Sequence, residues 1–427
     1  MRIGRTLPPA ATPITFRSIV SGLLGIFHGQ RELDRFELEL KEHFGEKYCF
    51  LVSSGKAAFT LILQALAELS PDRNKVLIPA FTCYSVPSSV VRAGLQIILC
   101  DQSPDSFDFD FTQLSAMLRS DTPSLGPGGE LQFVALDDTN SSGPSIKGIL
   151  AIVPTHLFGY PADVEKLRKL IQDPRVTIVE DAAQAMGETI RERKIGTLGD
   201  VCFFSLARGK AFSVVEGGVI LTNRDDVAQA LGSLVGRLPR YGVLAKLKIL
   251  VKATALMLLM HPRIFWMPRS VPFLKLGETL FETDFPMRKM SSFQAGLARN
   301  WLGHLESLRE IRKNKVNRWN AVIETSTKHG SSLLRSRCLG LLRFPLRVAD
   351  ERKREALLQE SARLGLGIMP VYPTSVNRIP ELRGKIGIGK FPVAESCARE
   401  LLTLPTHGYV TEHDVAKVSG LVSRIIG

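Results

Sequence analysis

The sequence predicts an α/β fold: a mostly parallel sheet covered by helices on both faces. Short apolar runs recur at Cys49–Val52, Lys75–Pro79, Ile97–Cys100, Ile149–Pro154, Thr177–Val179 and Val201–Phe204. Segments with helical spacing separate them, and strands alternating with helices are the mark of a parallel sheet. With 427 residues, 44% of them apolar, the chain is long enough for one large domain and one small one.

Taken in order, residues 1–30 read as an N-terminal arm, proline-rich and extended to about Ile14. Glu32–Phe44 has helical spacing, with Leu33, Phe36, Leu40 and Phe44 on one side. The run at Cys49–Val52 leads into SSGKAAFTLILQAL, a serine- and glycine-led helix start. Lys75–Pro79 reads as a buried strand, Ser85–Ala93 as a helix and Ile97–Cys100 as a strand. A further strand at Ile149–Pro154 precedes a helix at Asp163–Ile171. Strands then recur at Thr177 and Val201, with a hairpin-like return at Gly218–Thr222. Ser292–Leu308 reads as one long connecting helix. FPLRV, ARLGLGIMPVYP, the LLTLPTH strand and a helix from Thr411 suggest a small α+β unit. The expected division is an arm at 1–30, a large domain at 31–298 with a basic insertion at about 236–277, and a small domain at 299–427.

Six scattered cysteines without a CxxC pair fit reduced thiols in a cytoplasmic protein, and no metal site is expected. No apolar segment has the form of a secretory signal or a membrane-spanning helix. The formal net charge of +13 suggests an anionic partner. Its distribution is uneven. From Val227 to Gly277 there is no Asp or Glu, against eight Lys or Arg: Arg237, Arg240, Lys246, Lys248, Lys252, Arg263, Arg269 and Lys275.

The stretch Thr177–Leu221 concentrates the candidate chemistry. One apolar run ends in Glu180 and Asp181. A second ends in Ser205, with Lys210 five residues on. Ligands of α/β sheets sit at strand ends. An acid, a hydroxyl and a lysine delivered there suit a cofactor with a basic ring nitrogen, a phosphate and an aldehyde, and pyridoxal 5'-phosphate (PLP) is such a cofactor. Asp181 would hold the ring-nitrogen proton; it would equally serve as a helix N-cap before AAQAMG. Gln184 could donate to the ring hydroxyl or lie on the surface. Lys210, among Gly209, Ala211 and Phe212, has surroundings that lower an amine's pKa, although loop lysines are commonly exposed. Ser53, Ser54 and Gly55 open a helix whose free N–H groups attract phosphate.

Jointly these pieces resemble the DegT/DnrJ/EryC1/StrS family of PLP-dependent sugar aminotransferases. The matching segments run in the family's order over most of the chain. They include SSGKAAFTLILQAL, VLIPAFTCYS, AIVPTHLFGYPADVEKL, VEDAAQAMGETIRERKIGTLGDVCFFSLARGKAFSVVEGGVILTN, RKMSSFQAGLARNWL and LLTLPTH. The resemblance implies a type I aminotransferase fold, normally a homodimer with sites at the subunit interface. It implies that Lys210 condenses with the cofactor aldehyde and shuttles protons, Asp181 pairs with the pyridine nitrogen and Gln184 contacts the ring hydroxyl. It also implies that Ser205 and the Ser54–Gly55 turn hold the phosphate. The reaction would pass an amino group from a donor such as glutamate to a keto-sugar, typically nucleotide-linked; no nucleic acid is expected. Family members that dehydrate sugars carry histidine at the lysine position, so Lys210 argues against that chemistry.

Three positions depart from the family pattern. Lys56 replaces the usual threonine, so it either binds phosphate as a point charge or points elsewhere. Cys83 takes the place of the usual ring-stacking aromatic, leaving Tyr84 either to stack on the cofactor or to join the core. Met287 stands where an asparagine commonly reaches the other subunit's phosphate. The largest departure is the basic segment. In Val243–Met260, Lys246, Lys248 and Lys252 interrupt an apolar helix, with Phe265 and Trp266 beyond it. Residues 243–267 suit contact with an anionic membrane surface. They equally suit packing on the dimer or over the site, and the sequence leaves both open.

Overall fold

The computed structural model describes residues 3–119, 124–125, 131–132, 148–271, 279–326, 339–387 and 389–427. Cys338 and residues 272–277 of the basic segment, Lys275 among them, lie outside these.

Seven strands build the main sheet: β1 (Tyr48–Val52), β2 (Lys75–Pro79), β3 (Gln96–Cys100), β4 (Ile149–Ile152), β5 (Thr177–Asp181), β6 (Val201–Ser205) and β7 (Gly218–Thr222). Their order is β1-β7-β6-β5-β4-β2-β3. β2 to β6 run parallel, and β7 returns antiparallel between β6 and β1. The α/β fold expected from the sequence is therefore the one observed. β5 and β7 are buried along their whole length, which is why their apolar residues, Ile178–Val179 and Val219–Leu221, follow one another without alternation. The return at β7 is no tight hairpin: residues 206–217 intervene, and they carry Lys210. A second, antiparallel sheet holds β8 (Arg343–Arg347), β9 (Met369–Pro370) and β10 (Leu401–Pro405), in the order β8-β10-β9.

The helices that matter to the site and its surroundings are α1 (Phe16–His28), α2 (Gln30–Phe44), α3 (Gly55–Leu69), α4 (Ser85–Arg92), α5 (Asp225–Arg237), α6 (Val243–Leu259), α7 (Ser292–Leu297) and α8 (Trp301–Ser326). α2 buries Phe36, Leu40 and Phe44, as its period predicts. α3 is buried nearly all round, between the sheet and α4 and α5.

Two elements differ from expectation. Residues 16–28, inside the predicted arm, form helix α1. Thr15 caps it by accepting the Ser18 N–H at 3.0 Å. Apart from Ile19, its inward face is glycine: a Cβ on Gly25 would lie 2.6 Å from the Ser292 carbonyl oxygen of α7. With the small residues inward and the large apolar ones outward, no core-facing apolar stripe marks the helix in the sequence. The long helix expected at Ser292–Leu308 is instead broken. Asn300 adopts φ 57°, a left-handed conformation that Asn tolerates better than most residues. The break re-aims the chain so that Trp301 packs on Phe36 and Phe44, at ring-centroid distances of 6.2 and 6.4 Å.

Residues 4–14 have no regular structure but are not loose. Leu7, Ala11 and Ile14 are buried, the Leu7 N–H donates to Gly365 O at 2.9 Å, and Arg5 clamps Asp414 at 2.5 and 2.8 Å.

Candidate active site

The carboxyl ends of parallel strands β4, β5 and β6 lie side by side, with Thr155 bridged to Asp181 and Phe203 in register with Asp181. Alternation along β5 sends its two terminal acids to opposite faces. Glu180 turns into the protein, where its carboxylate accepts N–H groups from Leu198 and Gly199 at 2.5 Å, Gly196 at 3.0 Å and the His156 ring at 3.0 Å. The Ala162 N–H donates to His156 Nδ1 at 3.0 Å, so the ring proton sits on Nε2, facing Glu180. Burial raises the Glu180 pKa, but His156 and the amides outweigh it and hold the carboxyl below its ordinary range. Glu180 thus pins the 196–199 turn and is chemically spent.

Asp181 faces the other way. Its Oδ1 accepts the Ala183 N–H at 3.1 Å, while Oδ2 has no hydrogen-bond partner among the described residues. No helix follows it, only a turn, so the N-cap alternative loses its helix. Burial pushes the Asp181 pKa up, opposed by Lys210, Ala183 and His156. Burial likewise pushes the Lys210 pKa down; Cys83 and Asp181 pull it back up, and Arg343 adds to the lowering. The acid and the lysine therefore share one desolvated environment.

Lys210 is held through its backbone. Its carbonyl accepts the Thr12 hydroxyl at 2.5 Å and the Arg312 guanidinium at 3.3 Å, and Arg312 also donates to Ala211 O at 2.8 Å. Gly209, at φ 74°, provides the turn before it and packs near Ala10 of the arm. Farther along the loop, Val215 has φ 79°, a strained conformation for a β-branched residue. Phe158 at φ 59° is the other strained residue here, and its N–H donates to Gln184 Oε1 at 3.3 Å.

The start of α3 presses onto the ends of β6 and β7. A Cβ on Gly55 would sit 2.8 Å from Ser205 Cβ, and one on Gly218 would sit 2.2 Å from the Ser54 carbonyl oxygen. Only glycine permits both approaches. Ser54 Oγ caps α3 by accepting the Ala57 N–H at 3.1 Å, and its hydroxyl proton stays available. The first N–H groups of the helix, at Gly55 and Lys56, have no intrahelical partner and lie beside Ser205.

Lys56 itself points away from this cradle. Its Nζ pairs with Glu282 at 2.9 Å and sits 4.5 Å from the Phe285 ring centroid. Met287 accepts the Arg92 Nε–H on its sulfur at 3.2 Å. Tyr84 is buried in the core; its hydroxyl lies 2.7 Å from Thr374 Oγ1 and its ring stacks on Tyr372 at 6.3 Å. Gln184 is not a surface glutamine: its Nε2 donates to the Tyr372 hydroxyl at 3.3 Å.

Tyr372, Arg343 and Cys83 join Lys210 and Asp181 electrostatically, and Arg208 acts on Arg343. The sequence reading missed Tyr372, Arg343 and Arg208 as site residues. Tyr372 and Arg343 lie more than 130 residues beyond Lys210 in the chain, and nothing local to RFPLR or MPVYP ties them to it.

A mostly parallel seven-stranded sheet with a second, small antiparallel sheet is the type I aminotransferase class of fold. The chain belongs to the DegT/DnrJ/EryC1/StrS aminotransferase family, whose pattern matches residues 24–245 and 281–423; the family is PLP-dependent. It is 24% identical over 401 residues to a GDP-perosamine synthase of Caulobacter vibrioides, covering 93% of this chain and 90% of that one. It is 24% identical to the L-glutamine:2-deoxy-scyllo-inosose aminotransferase of Streptomyces lividus, covering 92% and 85%. The fold also superposes on the sugar aminotransferase CalS13 of Micromonospora echinospora, with TM-score 0.72, 18% identity and 98% of this chain and 99% of that one covered.

Proposed function

We propose that this protein is an aminotransferase that uses PLP to move an amino group from glutamate or a similar donor to a keto-sugar. The acceptor is nucleotide-linked, and the pathway builds polysaccharide or glycoconjugate. The protein works in the cytoplasm as a homodimer, and residues 31–298 and 299–427 act as its large and small domains. The observation that carries the reading is that Asp181 and Lys210 influence one another electrostatically at the strand ends beside the α3 cradle.

The residues present suit the cofactor. Asp181 keeps one carboxyl oxygen unpartnered, matching a protonated ring nitrogen. The glycines at 55 and 218 let the start of α3 pack against Ser205 and β7, which brings the α3 amides and the Ser205 hydroxyl together where a phosphate would bind. Bound there, PLP supplies an electron-accepting ring and carries the amino group between donor and acceptor. Asp181 keeps the ring nitrogen protonated. Lys210, its pKa lowered by burial, is available as a free amine to take and return the proton at the reacting carbon. Gln184 is set by Phe158 and Tyr372 to face the ring hydroxyl. Arg343 and Arg208 add positive charge at the site, which favours anionic substrates.

The direct test is to load the protein with pyridoxamine phosphate and offer it 3-keto and 4-keto nucleotide sugars. The reading expects an amino-sugar nucleotide by mass spectrometry, together with return of PLP absorbance. No product from any nucleotide sugar, with turnover on an unrelated ketone, would remove the sugar assignment.

A further inference from the structure

We propose that α1 and α6 together form a docking face for an anionic lipid surface. α6 is apolar on two opposite sides. Ile249 and Ala253 are buried against the core, while Val243, Leu244, Leu247, Val251 and Leu258 point outward, Val243 and Leu244 more than 80% exposed. Its 17 residues make that outward stripe about 25 Å long. Lysines flank it. Lys248 and Lys252 lie to one side and Lys246 to the other; Lys252 also pairs with Glu216 at 2.9 Å.

α1 repeats the arrangement. Gly22 and Gly25 press onto α7, which leaves Phe16, Val20, Leu23, Leu24 and Phe27 outward, Phe27 87% exposed. This is the i, i+4, i+7, i+8, i+11 spacing of one helix face, turned away from the protein. α1 packs beside α6, and Ile19 shares a core cluster with Ile249 and Ala253. The two outward stripes therefore lie on neighbouring helices, each facing away from that common core.

Exposed apolar stripes of this size mark an interaction site. Charge decides which one. Neither helix contains an Asp or Glu, whereas Arg17, Lys246, Lys248 and Lys252 lie on them and Arg240 and Arg263 lie close by in the chain. A second copy docked through the same face would set cations against cations, with no acid on either helix to answer them. Anionic headgroups answer them directly, and the stripes between reach the acyl boundary. Most of α6 is also an addition to the shared fold, because the family match stops at residue 245 and resumes at 281. No helix among the described residues is long and apolar enough to cross a membrane, so the contact is peripheral.

The test is flotation of the full-length, PLP-loaded protein with phosphatidylcholine vesicles, with and without phosphatidylglycerol. Wild type is expected to float with the anionic vesicles, less with neutral ones, and less after salt is added. The double variants L247S/V251S and F16S/F27S alter only exposed side chains, and each should cut the bound fraction at least about fivefold. The charge variant K248E should weaken binding to anionic vesicles alone. Unchanged cofactor absorbance and thermal midpoint in each variant show that the fold survives. Absence of flotation, flotation that both double variants leave unchanged, or variants that instead turn a dimer into monomers would each overturn the proposal.

Discussion

Lys210 and Asp181 occupy a place where burial disfavours the charge of each, and each partly restores the other's. Asp181→Asn keeps the shape and removes the charge. It should retain bound PLP yet slow the half-reaction with glutamate about 10²–10⁴-fold, read by absorbance in rapid mixing. A second buried group answers to pH. His407 donates from Nε2 to Pro8 O at 2.8 Å, and burial drops its pKa from 6.5 to about 4. Between those values the unfolded chain binds a proton that the folded chain refuses. The stability contribution is complete above pH 6.5 and is lost as pH falls toward 4, by up to about 3 kcal/mol. Urea midpoints measured across that range should fall in wild type and flatten in His407→Gln. Lys210, Asp181 and Ser205 were legible in the sequence because each follows an apolar run that had to be a buried strand. Tyr372 and Arg343 were not, because the second sheet brings them to the site over long sequence separations.

At the scale of elements, the cradle depends on two close approaches. Gly218→Ala would place a methyl group 2.2 Å from the Ser54 carbonyl oxygen, and backbone cannot yield there cheaply. A loss of about 1–3 kcal/mol in urea unfolding is expected, together with weaker retention of the cofactor. Gly232 is the counter-case. It lies mid-way along α5 with nothing within 4 Å of its added Cβ. Gly232→Ala should therefore stabilise by about 0.5–1 kcal/mol, through helix propensity and a less flexible unfolded chain. The strands were legible because burial on both faces wrote them as apolar runs. α1 was hidden because, apart from Ile19, its inward face is glycine, and the break at Asn300 because a single left-handed residue leaves helical periodicity intact on either side.

On the scale of the whole molecule, two layers of information separate. The family match covers the sheet, the cradle and the second sheet, and the sequence conveyed that much through motif order. The segment between residues 245 and 281 lies outside it, and there the sequence offered composition without a partner. Packing resolved which side of α6 meets the core. The N-terminal arm couples the parts: Arg5 reaches Asp414, Pro8 reaches His407 and Thr12 reaches the backbone of Lys210. Of these three contacts, the one from Thr12 touches the loop that presents Lys210, and the other two tie the arm to the C-terminal part of the chain. The most direct measurement is the absorbance of purified full-length protein reconstituted with PLP, followed on addition of L-glutamate, in wild type and Lys210→Ala. Wild type is expected to show a cofactor band that borohydride shifts and glutamate converts to the pyridoxamine form. The variant is expected to show neither response at a comparable rate. A wild-type protein that takes up no PLP, or a Lys210→Ala protein that transaminates glutamate as fast as wild type, would contradict it.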